Sequence, residues 1–388
     1  MPIVDVPRPL LYTISMPASA SLSTFHLSTA RTWRGGENQI VLLCKGLRAR
    51  GQQALILAPK GAPLLERAAE AGIPARVLTL RGTAGPAGTW RLARLLRTLR
   101  PGLLHLHDSH AVLPGQIAAR AVPAKSLAVV AHRRTAFPLR GAWKYGGRVD
   151  TVIAISAAVR ERVLAAGLAP GRVVRIFSGL EFAAPLPRGG AEARALRAEL
   201  GIPEGAILVA HAAALTHEKR QIDLLAALAQ SGLKATRLAG VHLALAGIGE
   251  EEGALRAQAV RRGVAGRVHL LGFRRDLRAL WAAADLVAFA SEAEGLCTAL
   301  IEAQGAGLPA VVTRAGGMVE VVEEGVTGLT VPVGDHAALA TALGALAADG
   351  SARARMGRAA SARARGLFSA QTMVEESLAL YEKLLRGR

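Results

Sequence analysis

Two carboxylates, Glu294 and Glu302, stand eight positions apart in Ser291-Glu292-Ala293-Glu294-Gly295-Leu296-Cys297-Thr298-Ala299-Leu300-Ile301-Glu302-Ala303. The run before them, Asp285-Leu286-Val287-Ala288-Phe289-Ala290-Ser291, is short, apolar and bounded, which predicts a buried parallel strand. The turn that follows contains Gly295 and opens a helix. Such a turn aims the free N–H groups of Gly295, Leu296, Cys297 and Thr298 beyond the strand's carboxyl end, where anions bind. Glu294 lies in the turn and Glu302 about two helical turns further on. Carboxylates repel phosphate and accept hydrogen bonds from hydroxyls, so the chemistry of this pair suits sugar hydroxyls, with the amides left for a diphosphate. Cys297 reads as a small buried residue of that turn and not as a nucleophile.

A diphosphate also needs cations. Lys219, in Leu215-Thr216-His217-Glu218-Lys219-Arg220, follows a predicted strand at a helix start, which adds side-chain charge to the helix N-terminal dipole. Arg220 is a second candidate. Near the amino end, Trp33-Arg34-Gly35-Gly36-Glu37 places paired glycines directly after the first predicted strand, where backbone can approach a ligand closely. His132 closes another predicted strand and is followed by Arg133 and Arg134, a loop that reads as an anion gate. Asp108 ends the strand that carries His105 and His107. These histidines alternate along the strand and face one side, but further ligands are not assured, and no metal site is assigned to them, Asp108 or His110. Gly247-Ile248-Gly249-Glu250 is a Gly-x-Gly turn after a later strand, equally a plain tight turn.

The elements that must hold these residues follow an alternation of apolar runs and helix-length segments, the pattern of doubly wound parallel sheets. Strands are expected near Thr24–Leu27, Ala54–Ala58, Arg76–Leu80, Leu103–His107, Leu127–Ala131, Thr151–Ile155 and Val173–Phe177. A second set is expected near Ile207–His211, Val241–Ala246, Val268–Leu271, Leu286–Ala290, Ala310–Thr313 and Leu329–Val331. Between the sets, Ala183-Ala184-Pro185-Leu186-Pro187-Arg188-Gly189-Gly190 is dense in Pro and Gly and marks a linker. The expected organisation is therefore an extension over 1–20, a Rossmann-like domain over 21–184, a second over 185–369, and an amphipathic helix over 370–388. Ligands in such folds bind in a crevice at the strands' carboxyl ends. No Gly-x-Gly-x-x-Gly follows the first strand and no Walker loop is present, which argues against a simple dinucleotide dehydrogenase or a P-loop kinase.

The segment from Glu294 to Glu302, with Gly307-Leu308-Pro309, Gly316-Gly317 and Glu320-Val321-Val322-Glu323-Glu324-Gly325-Val326-Thr327-Gly328-Leu329 behind it, resembles the donor site of retaining glycosyltransferases of family 4, which have the GT-B fold. The run Arg31 to Glu37 is similar to members acting on lipopolysaccharide core or related envelope glycans. The resemblance implies that Glu294 contacts the transferred sugar, that Glu302 holds the ribose, that Lys219 binds the diphosphate, and that Gly247 and Gly249 lie beside the nucleoside. It further implies that Gly35 and Gly36 close on the diphosphate or the acceptor, and that His132 lies near the donor's 6-hydroxyl and the reacting carbon. Arg34, Asp108, Arg133 and Arg134 become candidates for the acceptor, and the terminal helix is expected to cross back onto the first domain. The family carries an arginine about five positions before the lysine; this chain has Ala214 there. Arg220 or an arginine of the first domain would have to compensate.

The expected activity is a retaining glycosyl transfer from a nucleotide diphosphate sugar to an envelope glycan or lipid-linked acceptor such as lipopolysaccharide core. No metal cofactor is expected, because the chain lacks an Asp-x-Asp. A GT-B epimerase acting on the nucleotide sugar is the alternative enzyme. The formal net charge of +19 raises a nucleic-acid-binding alternative, which the scarcity of aromatics and lack of a recognition motif oppose. The charge also suits an anionic membrane surface or an acidic acceptor, while an arginine- and alanine-rich genomic composition is an equal explanation. The arginine-studded helix Thr89–Arg100 reads as a sheet-covering helix with leucines inward. Two separated cysteines, no clean apolar span and no signal-like start give a cytoplasmic expectation, with peripheral attachment to the inner face of the cytoplasmic membrane left open.

Overall fold

The computed structural model describes residues 22–80, 85–135, 139, 141–230 and 238–388. The expected extension over 1–20 lies outside the described residues. Two sheets form the frame. The first contains β1 (Ser23–Leu27), β2 (Gln53–Ala58), β3 (Ala75–Val77), β4 (Leu103–Leu106), β5 (Ala128–Arg133), β6 (Thr151–Ala154) and β7 (Val173–Arg175), in the order β3-β2-β1-β4-β5-β6-β7. The second contains β8 (Ile207–Ala212), β9 (Val241–Ala246), β10 (Val268–Gly272), β11 (Leu286–Phe289), β12 (Ala310–Thr313) and β13 (Gly328–Val331), in the order β10-β9-β8-β11-β12-β13. Neighbouring strands run parallel throughout.

Both sheets are doubly wound, and all thirteen expected strands are present. The largest difference is β3, which pairs only over Ala75–Val77 because Thr79 and Leu80 leave the sheet edge. Sidedness follows from burial: Leu286, Val287, Ala288 and Phe289 are fully enclosed, as a strand covered by helices on both faces must be. The helix Pro86–Leu99 buries Thr89, Leu92 and Leu96 and leaves Trp90 and Arg91 outside, the sheet-covering arrangement.

The strand order reverses between β1 and β4 in one sheet and between β8 and β11 in the other. A crevice opens where neighbouring crossovers depart to opposite faces, and ligands use it. The segments after those four strands carry Gly35 and Gly36, His107 and Asp108, Lys219, and Glu294. The topology thus brings the chemistry-bearing residues to the two switch points.

The chain crosses between the sheets twice, and the crossings are tied together. Leu180 N–H donates to Phe368 O at 2.8 Å, and Ala370 N–H donates to Leu180 O at 2.9 Å. Residues 181–190 hold no helix or strand. The last helix, Ala370–Arg386, then returns to the first domain, packing Met373, Val374 and Tyr381 with Leu42, Leu43 and Leu47 of the helix Gly35–Ala49. At the crossing, Gln39 clamps Gly179 with two 2.8 Å hydrogen bonds, one to its N–H and one to its carbonyl. A Cβ on Gly179 would lie 2.6 Å from Ala370 Cα and 2.8 Å from Ser369 O. Gly179→Ala is therefore expected to cost about 1–3 kcal/mol by overpacking, read as a lower urea midpoint with an unchanged m-value.

Candidate functional site

Glu294 is 9% exposed, and its Oε1 accepts from Lys219 Nζ at 2.5 Å and from Ser291 Oγ at 3.2 Å. The serine fixes the carboxylate while the lysine neutralises it. Burial alone would lower the Lys219 pKa, but the charge and hydrogen bond of Glu294 outweigh it and the net shift is upward, so Lys219 is a firm cation. Backbone contacts fix the turns themselves. Glu292 N–H donates to Glu218 O at 3.0 Å, joining the two segments, and Gly317 N–H donates to Glu294 O at 3.1 Å. Gly316 has φ +52, and a Cβ there would meet Glu294 O at 1.9 Å. The Gly316-Gly317 pair is thus required by the close packing of one loop on the Glu294 turn.

The helix Thr298–Gly305 begins after Cys297, whose sulfur lies against the backbone N–H groups of Ala299 and Leu300 without capping them in a full hydrogen bond. Leu296 and Cys297 are buried beneath the turn, Gly295 is half-buried and Thr298 is exposed. Burial pushes the Cys297 thiol well above its ordinary range, in keeping with a packing residue. Glu302 lies further along this helix beside Trp281, and burial raises its carboxyl pKa. It lines a cavity with Phe182 and Trp281. A separate cavity of about 300 Å³ lies by the start of the same helix, lined by Ala214, Gly247, Phe273, Arg274, Leu277 and Ala299 among others. Its apolar walls and the 71% exposed Phe273 ring suit a flat heteroaromatic base. Gly247 has φ +153, and a Cβ there would fall 1.8 Å from Ala213 O. The Gly-x-Gly turn therefore has a packing requirement of its own.

Arg220 is committed elsewhere. It has φ +49, unusual for a side-chain-bearing residue, and its guanidinium is held by Asp223 at 2.7 Å and Glu292 at 3.4 Å. Asp108 is also engaged. It caps the helix Ser109–Ala119 by accepting from His110 N–H at 2.9 Å and Ala111 N–H at 3.0 Å, and it accepts from Thr29 N–H and Oγ1 at 2.6 Å each. The expected acceptor contact would have to compete with these bonds. Arg34 is exposed before the helix Gly35–Ala49, and its N–H donates to Glu37 Oε2 at 2.9 Å. Gly35 has open space around it, whereas a Cβ on Gly36 would touch Arg134 Cδ at 3.4 Å. Arg133, half-buried, follows His132 on β5.

The sequence reading paired His105 with His107 but missed His26 and Tyr381. Parallel register places His26 beside His105, and His132 follows Ala131 on the next strand, so the four histidines share one face of the sheet. Thr24 Oγ1 donates its single proton to Gln53 O at 3.0 Å, so it accepts from His26 Nε2–H at 2.9 Å. His26 Nδ1 is then bare and accepts from His107 Nε2–H at 3.0 Å, and His107 Nδ1 accepts from Arg134 Nη2 at 3.2 Å. A second branch joins Tyr381 to His105 Nδ1 at 2.6 Å and His105 Nε2 to His132 Nδ1 at 3.3 Å. The buried phenol needs an acceptor. With Tyr381 donating, the protons order themselves so that His132 Nε2 carries a hydrogen. That atom is buried without a hydrogen-bond partner among the described residues. Burial first, and the Arg134 charge second, hold His132 well below the ordinary histidine range, so it is a neutral N–H donor at pH 7. His26, His105 and His107 bring ligand atoms within 4.8 Å of one another, a grouping that includes neither Asp108 nor His110. Their six ring nitrogens are all taken up in the two hydrogen-bonded branches.

The two domains meet around these turns. A Cβ on Gly295 would lie 2.4 Å from Arg134 O, and Glu320 of the second domain accepts from Ala157 N–H at 2.7 and 2.8 Å, at the start of the helix Ala157–Ala165. One face therefore carries a buried carboxylate, the lysine paired with it, a helix N-terminus and a neutral imidazole donor. The family model for glycosyl transferases group 1 matches residues 192–363, and that for glycosyltransferase family 4 matches residues 33–183. The chain belongs to the group 1 and family 4 glycosyltransferases. Its fold is GT-B.

Among characterised relatives of this glycosyltransferase, the lipopolysaccharide core biosynthesis glycosyltransferase LpsE of Rhizobium meliloti is 33% identical over 47% of this chain and 52% of its own length. The match thus spans about half of that relative. A GDP-mannose-dependent alpha-mannosyltransferase of Mycobacterium tuberculosis is 29% identical over 78% of this chain and 81% of its own length. The Anabaena protein HepE, solved in complex with UDP-glucose, is 25% identical, covers 93% of this chain and 100% of its own, and superposes with a TM-score of 0.76. No helix among the described residues is long and apolar enough to cross a membrane.

Proposed function

We propose that this glycosyltransferase moves a sugar, with retention of configuration and without a metal, from a nucleotide diphosphate sugar to an envelope glycan or lipid-linked acceptor of the lipopolysaccharide-core kind. The observation that carries the reading is the Lys219–Glu294 pair at the second switch point, in a turn whose Gly295 packs against Arg134 of the first domain. The donor's base would occupy the cavity beside Ala214 and Phe273, its ribose would meet Glu302, and its diphosphate would meet Lys219 and the amides from Gly295 to Thr298. The sugar would then lie between Glu294 and the His132 Nε2–H.

In the transfer, the bond from the anomeric carbon to the leaving phosphate oxygen breaks and a bond to the acceptor oxygen forms on the same face. The acceptor's proton passes to the leaving phosphate oxygen, so no protein base is required. Negative charge grows on that oxygen as the bond stretches. A fixed lysine and aligned amides stabilise it without reorganising, the largest kind of catalytic contribution such a site makes. His132, neutral and proton-bearing, serves as a hydrogen-bond donor to a sugar hydroxyl.

UDP-glucose in HepE and GDP-mannose in the mycobacterial relative support a nucleotide-sugar donor and leave two bases to test. The experiment is incubation with UDP- and GDP-sugars in EDTA, with and without a lipopolysaccharide-core oligosaccharide. The expected result is acceptor-dependent nucleoside diphosphate release and an α-linked product from an α-linked donor. Isomerised donor without acceptor would indicate an epimerase instead, and strict metal dependence would overturn the metal-free part.

A further inference from the structure

Position 214, where a phosphate cation is expected, holds alanine. Two further cations of the second domain are already paired. Arg220 is paired with Asp223 and Glu292, and Arg274 is paired with Glu199 at 2.9 Å. Lys219 remains, shared with Glu294. A leaving diphosphate develops more negative charge than one lysine balances.

Arg134 supplies a different kind of cation. It follows β5 in the first domain, with its backbone oxygen against Gly295 and its side chain against Gly36. It therefore lies between the glycine loop of one domain and the donor turn of the other. Arg134 Nη2 donates to His107 Nδ1, the end of the ordered chain through His26 and Thr24. That chain makes His107 a fixed acceptor and orients the guanidinium. The residue as a whole is only half-buried, yet Nε and Nη1 are enclosed and have no hydrogen-bond partner among the described residues. Glu37 and Asp108 lie near enough to act on its charge, but their carboxylates are engaged by backbone N–H groups of Arg34, Thr29, His110 and Ala111. Enclosed donors left unmade are costly, and an anion reaching one edge of the guanidinium would satisfy one of them.

We infer that Arg134 is the second diphosphate cation of this enzyme, contributed by the first domain across the cleft in place of the residue missing at 214. The assignment rests on the donor-site reading above. It moves Arg134 from the acceptor to the donor and makes diphosphate binding depend on both domains. Its fork of donors would bridge two phosphate oxygens, whereas Lys219 offers a point charge.

The test is calorimetric titration of UDP, GDP, UMP and GMP, in EDTA and without acceptor, into the wild type, Arg134→Ala and Arg134→Lys. Apo melting curves establish that each variant is folded, and Arg134→Lys keeps the test open if the alanine variant is not. The base preferred by the wild type sets the comparison. Arg134→Ala is expected to weaken the diphosphate about 10- to 100-fold and the monophosphate much less, with Arg134→Lys between. Unchanged diphosphate affinity in a folded Arg134 variant overturns the inference while the donor site stands. If the wild type binds no nucleoside diphosphate, the donor-site reading fails and the inference falls with it.

Discussion

Lys219→Ala is expected to slow sugar transfer about 10²- to 10³-fold, the range for removing one preorganised donor from a developing oxyanion. The loss should appear in kcat more than in KM, because the charge that Lys219 meets is greatest in the transition state. The same substitution strands Glu294, 9% exposed, with Ser291 as its remaining side-chain hydrogen-bonding partner among the described residues. Removing one member of an enclosed ion pair costs about 3 kcal/mol, so a lower melting temperature should accompany the kinetic defect. Glu294→Gln tests the carboxylate itself. It keeps an acceptor for Ser291 and Lys219 but removes the lysine's counter-charge, so transfer should fall steeply and the melting temperature should drop as well. Wild-type turnover of either variant with saturating donor would remove the pair from the mechanism.

Acid is the second large effect. His26 is held down to about 3 and His211 to about 4, chiefly by burial, and burial also holds His105, His107 and His132 well below the ordinary range. Their ordinary value is 6.5. Below that pH the unfolded chain takes up protons that the folded chain refuses, so stability present above pH 6.5 is lost as pH falls. The loss continues downward until each group reaches its folded pKa. For His26 and His211 each refused proton costs about 1.2 kcal/mol between pH 7 and 5.5, and His105, His107 and His132 act in the same direction. For a protein of ordinary stability the combined loss is a sizeable share of the total. Urea midpoints should fall sharply over this interval, and replacing His26 by Asn should flatten the fall. A midpoint constant from pH 7 to 5.5 would contradict neutral burial of the cluster.

The acid sensitivity and the donor site differ in how far the sequence disclosed them. The thirteen strands were legible because each is a short apolar run between polar turns, a local signal. Glu294, Lys219 and the glycines were legible because they lie directly after such strands. What could not be read locally was mutual placement. His26 lies far from His105 in sequence, and only the β1–β4 pairing makes them neighbours. Tyr381 reads as one apolar position of an amphipathic helix, and its hydroxyl acquires a role only when that helix returns over the first sheet. Arg220 and Asp108 show the converse. Their types and positions suit a ligand, but Asp223, Glu292, Thr29 and the helix beginning at Ser109 already engage them. Gly316 and Gly247 are required by backbone packing against Glu294 and Ala213, which no single sequence displays.

The measurement that bears most directly on the central claim is the thermal shift of the wild type and Lys219→Ala, side by side in EDTA, with UDP, GDP, ADP and CMP. A ligand that binds only the folded state raises the melting temperature by mass action. The account predicts a clear upward shift of the wild type with one nucleoside diphosphate, and a much smaller shift of Lys219→Ala with the same nucleotide. No shift of the wild type with any of them, or equal shifts of wild type and variant, would contradict it.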